Sequence, residues 1–81
     1  MKFEIYLYDV WGNDEDGYEV NDVLPTGTVV GEDVISEDRL CKVLGLGDPA
    51  KMDIDDLGGD ALSVDYDGKP YCELRRMEDD D

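Results

Sequence analysis

The stretch Lys2-Phe3-Glu4-Ile5-Tyr6-Leu7-Tyr8-Asp9-Val10-Trp11 switches face at every residue. Phe3, Ile5 and Leu7 fall on one side of an extended chain and Tyr6, Tyr8 and Val10 on the other, the period of two that a strand imposes. A strand apolar on both faces belongs inside a sheet rather than at its rim. Gly12-Asn13-Asp14-Glu15-Asp16-Gly17 is dense in turn formers and ends in Asp-Gly, so the chain reverses there. A second strand follows, with Tyr18 and Val20 on one face and the pattern running on toward Leu24. Pro25 and Gly27 interrupt it, and Thr28-Val29-Val30 resumes it as a short edge piece. Gly12 and Gly17 can take positive φ, Asn13 can cap the turn, and Trp11 and Tyr18 can pair across the hairpin end.

After residue 30 the period changes. Ser36 reads as a helix N-cap, with Glu37 and Asp38 favourably placed against the helix dipole. Ile35 and Leu40 have the spacing of a hydrophobic staple, Leu40, Val43 and Leu44 form the buried stripe, and Gly45 suits the left-handed residue past the end. Such a short helix is marginal alone and must pack on the sheet. Asp48-Pro49 can cap a single helical turn. Residues 53–60, with Asp53, Asp55, Asp56 and Asp60 among glycines, read as an acidic loop.

The last element is a hairpin, residues 61–66 and 69–76, around Asp67-Gly68. A two-residue turn sets Leu62 opposite Glu73 and Val64 opposite Tyr71. A three-residue turn with Gly68 in a left-handed bulge sets Leu62 opposite Cys72 and Val64 opposite Pro70. The second gathers Leu62, Val64, Cys72 and Leu74 on one face and brings Asp65 to Lys69, whereas a slip of one residue buries a carboxylate. The bulged turn is therefore expected, with Pro70 at an edge or an unpaired position. The sum is an α+β domain over residues 1–77, ββαββ in order, with an antiparallel sheet of about four strands and one helix across a face. Residues 78–81, Glu-Asp-Asp-Asp, are expected to be a disordered acidic tail.

Composition bounds the function. The 81 residues carry 23 Asp and Glu, 7 Lys and Arg and no histidine, a formal charge of −16. Naked nucleic acid and anionic membrane should both reject this surface, because binding them requires Lys and Arg to displace counterions. The expected partner is a basic protein. No apolar run approaches a membrane span, and Met1-Lys2-Phe3 leads straight into a strand, so neither a signal peptide nor a transmembrane segment is expected. Cys41 and Cys72, each flanked by apolar residues, read as two reduced, buried thiols of a cytosolic protein.

The chemical motifs fail one at a time. An EF-hand loop anchored on Gly17, Gly58 or Gly68 places Val23, Val64 or Leu74 where the bidentate Glu must stand. Gly45-Leu46-Gly47-Asp48-Pro49-Ala50 matches a dinucleotide-binding pattern, but it follows a helix and sets Asp48 where a pyrophosphate must lie. Without histidine there is no Ser-His, Cys-His or His-metal arrangement. Paired carboxylates work as acid and base only in a pocket that separates their pKa values. No enzyme activity, metal or cofactor is expected.

Two sets of residues remain as candidates for a partner-binding surface. One is acidic: Asp14, Glu15 and Asp16 in the first turn, and Asp53, Asp55, Asp56 and Asp60. The other is aromatic: Tyr6, Tyr8, Trp11 and Tyr18, since aromatics with a polar tip are common interface anchors. The alternative for the tyrosines is packing under a loop or under residues 46–60.

Asp9-Val10-Trp11-Gly12-Asn13, followed by Asp16-Gly17-Tyr18-Glu19-Val20-Asn21-Asp22, resembles a group of small acidic proteins encoded by phages and prophages. The ending Cys72-Glu73-Leu74-Arg75-Arg76 is also similar to theirs. The resemblance covers the first hairpin and the last strand, under half the chain. It implies a small phage accessory protein made in the bacterial cytoplasm, and it carries over no catalytic or binding residue. Two functions follow as expectations. The first is a DNA-mimic inhibitor of anti-restriction or anti-CRISPR type, whose carboxylates occupy the basic groove of a host protein. The second is an adaptor or regulator that binds through the tyrosine face, its acidity serving solubility or adaptation to high salt.

Overall fold

A computed structural model describes residues 2–58 and 60–77. The chain runs β1 (Lys2–Asn13), β2 (Gly17–Gly31), α1 (Glu37–Leu44), β3 (Met52–Asp56), β4 (Ala61–Tyr66) and β5 (Lys69–Arg76), with short 3-10 turns at Glu32–Val34 and Pro49–Lys51. The strands form one antiparallel sheet in the order β2-β1-β5-β4-β3. The expected α+β class holds, but the sheet has five strands, not about four. The acidic stretch 78–81 lies outside the described residues.

The additional strand is β3, inside the segment read from sequence as an acidic loop. Met52-Asp53-Ile54-Asp55 has strand alternation, with Met52 buried and Ile54 half-buried on the side of the core. Aspartate is a poor strand former. Pairing with β4 over five residues, from Met52 opposite Tyr66 to Asp56 opposite Leu62, overrides that preference.

β2 keeps its place at the sheet edge through its irregularities. Its register against β1 shifts between Glu4 and Tyr6, where Thr26, Gly27 and Thr28 bow out opposite Ile5. Gly27 takes a φ of +77°, and the Thr26 hydroxyl donates to the Ile5 carbonyl at 2.7 Å, replacing a ladder bond. Pro25, which has no N–H to give, is tolerated because β2 has a neighbour on one side only. The β1–β2 turn closes largely as its sequence implies. The Asn13 side-chain oxygen accepts from the Glu15 and Asp16 amides. Gly12 has a φ of +118°, and a Cβ there would stand 2.1 Å from the Gly17 carbonyl oxygen, so only glycine fits. Trp11 and Tyr18 do not pair, however. Trp11 stands opposite Glu19 and Tyr18 opposite Gly12, which puts the two rings on opposite faces.

The β4–β5 register corrects the sequence reading. Tyr66 pairs with Lys69, so the turn has two residues, Asp67 and Gly68, both at positive φ. That is the preferred tight-hairpin geometry, since its twist matches that of the strands. The bulge lies further on, at Tyr71, and it brings Val64 opposite Cys72 and Leu62 opposite Leu74. Asp65 consequently meets Pro70 rather than Lys69. The four apolar residues still share one face, which is the constraint that burial enforces. Pro70 lies beyond the last β1–β5 pair, Leu7 with Cys72, where the sheet asks no hydrogen bond of it on that side.

One face of the sheet holds the core: Phe3, Ile5, Val30, Met52, Val64, Cys72 and Leu74, with Leu40 and Cys41 of α1. The Ser36 hydroxyl caps α1 by accepting from the Arg39 amide, and Gly45 ends it at a φ of +75°. Cys41 rather than Val43 completes the buried stripe; Val43 is 44% exposed. Asp48 caps the Pro49–Lys51 turn and its own amide donates to the Tyr66 hydroxyl, tying this segment to the same face. Complete burial of a side chain such as Leu40 or Leu74 contributes about 1.5–3 kcal/mol each. Cys41 and Cys72 are free thiols, and burial pushes the Cys72 pKa up to about 12.

Candidate functional site

Directly opposed residues of an antiparallel sheet share a face. The register therefore defines the second face without ambiguity. From β1 it receives Glu4, Tyr6, Tyr8 and Val10; from β5, Glu73 and Arg75; from β4, Ser63 and Asp65; from β3, Asp53 and Asp55. The helix and the 46–51 segment pack on the other side, and among the described residues no element covers this one. The tyrosines are thus not packed under residues 46–60. They lie half-buried against one another and their neighbours on an open sheet surface.

Tyr8 shares a 3.4 Å hydrogen bond with the Ser63 hydroxyl, two strands away across β5. Burial pushes the Tyr8 phenol above its usual pKa, and the charges of Glu73 and Asp65 add to that, against the opposing pull of Ser63. The Arg75 guanidinium lies over the Tyr6 ring at 4.4 Å and pairs with Glu73 at 2.6 Å. This contact makes Arg75 part of the surface, holding it over the aromatic ring.

Next to the tyrosines is an acidic cluster. Asp53 stands opposite Asp65, and Asp55 opposite Ser63. Partial burial pushes the Asp65 carboxyl above its ordinary range, and Asp55 and Asp53 push it further. The ion pairs among the described residues are Arg39 with Asp33, Arg75 with Glu73 and Arg76 with Asp60, so none neutralises Asp53, Asp55 or Asp65. No three carboxylates or thiols among the described residues are placed to hold a metal ion.

The candidates from sequence are therefore divided. Tyr6, Tyr8, Asp53 and Asp55 come together on the open face. Tyr18 lies on the same side at the far end of the β1–β2 ribbon, its hydroxyl donating to the Asp14 carboxylate and Lys69 above its ring. Asp14, Glu15 and Asp16 occupy the ribbon tip, apart from the Asp53 cluster. Asp56 stands opposite Leu62, on the helix side, and Asp60 is held by Arg76 at 3.0 Å. Trp11 does not belong to the tyrosine face. It lies on the opposite side of β1 and is 64% exposed.

Ser63, Asp65, Glu73 and Arg75 were missed. The signal was present: once Leu62, Val64, Cys72 and Leu74 are assigned to the core, alternation sends these four to the other face.

The fold and this surface define a small antiparallel α+β protein with one face sealed by a helix and the other open, acidic and rich in tyrosine. No protein-family model, curated protein or solved structure matches the chain. No helix among the described residues is long and apolar enough to cross a membrane.

Proposed function

We propose that this protein acts by binding rather than catalysis, and that it occupies the nucleic-acid-binding surface of a basic protein as an acidic mimic of DNA. The observation that carries the reading is the cluster of Asp53, Asp55 and Asp65. These carboxylates lie side by side on an uncovered face, in no ion pair among the described residues, and partial burial together with the Asp55 and Asp53 charges raises the Asp65 pKa. Like charges directly opposed destabilise a sheet. A basic partner relieves that repulsion on binding, and the net charge of −16 steers it in. The resemblance of the first hairpin to phage-encoded proteins supports a role inside a bacterial host, against a restriction, CRISPR or nucleoid protein.

The test is capture of partners from a bacterial lysate at low salt, elution by a salt step, and competition of the captured protein with duplex DNA. Affinity should fall steeply between roughly 50 and 500 mM salt, as for DNA itself. Affinity that stays flat across that range, or a partner that binds this protein and DNA together, overturns mimicry. A second reading, an adaptor that binds through Tyr6 and Tyr8, is favoured by the position of those half-buried rings on the same uncovered face. It requires Tyr6→Ala or Tyr8→Ala to abolish binding while Asp53→Asn and Asp55→Asn leave it intact.

A further inference from the structure

The β4–β5 turn abuts the β1–β2 ribbon, and between them is an open groove of about 410 Å³ lined by, among others, Val10, Tyr18, Tyr66, Asp67, Lys69 and Tyr71. We propose that this groove is a binding site for a cationic side chain, and specifically for an arginine guanidinium of the basic partner. The inference deepens the reading above and rests on it for the identity of the partner; the site itself is argued from the groove.

The walls have the chemistry a cation requires. Tyr18 provides the aromatic face, which carries the negative end of the ring quadrupole, while Tyr66 and Tyr71, half-buried against the core, complete the lining. The Tyr18 ring is held in position because its hydroxyl donates to the Asp14 carboxylate. Asp67 adds a carboxylate at the rim, on a turn whose two positive-φ residues fix the backbone. An anion finds one ammonium here and a net charge of −16 around it.

The protein already shows what the groove accepts. The Lys69 ammonium, from the strand that forms one wall, lies over the Tyr18 ring at 5.4 Å from its centroid. On the open face of the same sheet, Arg75 stacks on Tyr6 at 4.4 Å. Tyrosine surfaces on this sheet therefore gather cations, and the closer contact is the guanidinium's. A planar, weakly hydrated guanidinium stacks on an aromatic ring at less cost than a compact ammonium. Lys69 acts as an internal occupant that an incoming arginine displaces from Tyr18.

The experiment is an NMR titration of the full chain with N-acetyl-arginine methylamide, with the uncharged isostere N-acetyl-citrulline methylamide alongside. The arginine probe should shift the amides of Val10, Gly12, Tyr18, Lys69 and Tyr71 together, and the citrulline probe should not. Tyr18→Leu should weaken the arginine probe about threefold or more, whereas Tyr18→Phe keeps the ring and most of the affinity. Lys69→Met should tighten binding about threefold by vacating the ring. Lys42→Met, which changes the net charge equally from the helix, should not. Equal shifts with both probes, shifts centred on Asp14–Asp16 or Asp53–Asp56, or equal effects of Lys69→Met and Lys42→Met each overturn the proposal. Because the probe replaces the partner, these outcomes are independent of whether a nucleic-acid-binding protein is captured.

Discussion

The two faces of this sheet come from the same strands, one residue apart, and have opposite fates. On the helix side Ile5, Val64, Cys72 and Leu74 are sealed beneath Leu40 and Cys41. On the other side Tyr6, Tyr8, Ser63, Asp65, Glu73 and Arg75 lie under nothing that the described chain provides. The contrast teaches that a small sheet needs only one covered face to be a core. The second face is free to carry groups that cost stability, provided the first supplies enough. Here Asp53, Asp55 and Asp65 stand together, outside the ion pairs among the described residues, with Asp65 partly buried beside the other two.

Hollowing out the sealed face should have the largest effect. Leu74→Ala removes a completely buried side chain at the centre of the sheet and should lower unfolding free energy by about 2–5 kcal/mol in a urea titration. Tyr8→Phe on the open face gives up one long hydrogen bond and should cost less than about 1 kcal/mol in the same assay. If the two costs proved equal, the open face would be a second core. Loosening the cover is the next step. Ser36→Ala removes the N-cap of α1 and should cost about 1 kcal/mol, again by urea unfolding. It should also speed alkylation of Cys41 while leaving Cys72 protected, since Cys72 lies in the sheet itself.

The smallest effect has the opposite sign. Asp65 holds its proton more tightly in the folded chain than in the unfolded one. Its ionisation therefore opposes folding, a penalty absent below the ordinary carboxylate pKa of 3.8 and present as pH rises through the raised folded value. Asp65→Asn should accordingly stabilise the protein at neutral pH, with the gain disappearing on acidification below that ordinary value. Urea titrations across the pH range check this. A variant that is destabilised at neutral pH would mean that Asp65 is structurally needed, and the open face would not be held at a cost.

Local pattern carried much of the fold. Alternation in residues 2–11 placed β1 inside a sheet with tyrosines opposite the core. Ser36 and Gly45 bounded the helix, Asp48-Pro49 its following turn, and Gly12 and Gly17 the first hairpin end. Each depends on contacts within a few residues of chain. The candidate site was half legible for the same reason: Tyr6 and Tyr8 announce a face by their own spacing, and so do Asp53 and Asp55 once they are read as a strand.

What local pattern did not carry was whatever depended on a distant neighbour. β3 forms because β4 is there to pair with it, against the preference of three aspartates among its five residues. The bulge at Tyr71 was not foreseeable from the turn alone, because a tight two-residue turn and a buried apolar face make incompatible demands on register, and the strand satisfies both by inserting a residue. Trp11 is the exception: β1 alternation, a purely local pattern, already sets it on the side of Phe3, Ile5 and Leu7, away from Tyr6 and Tyr8. The order of apolar, charged and turn-forming residues was enough to set the class of fold. That acidic and aromatic residues from four strands share one surface left uncovered by the described chain follows from long-range pairing, because cross-strand register is set by the burial of the opposite face.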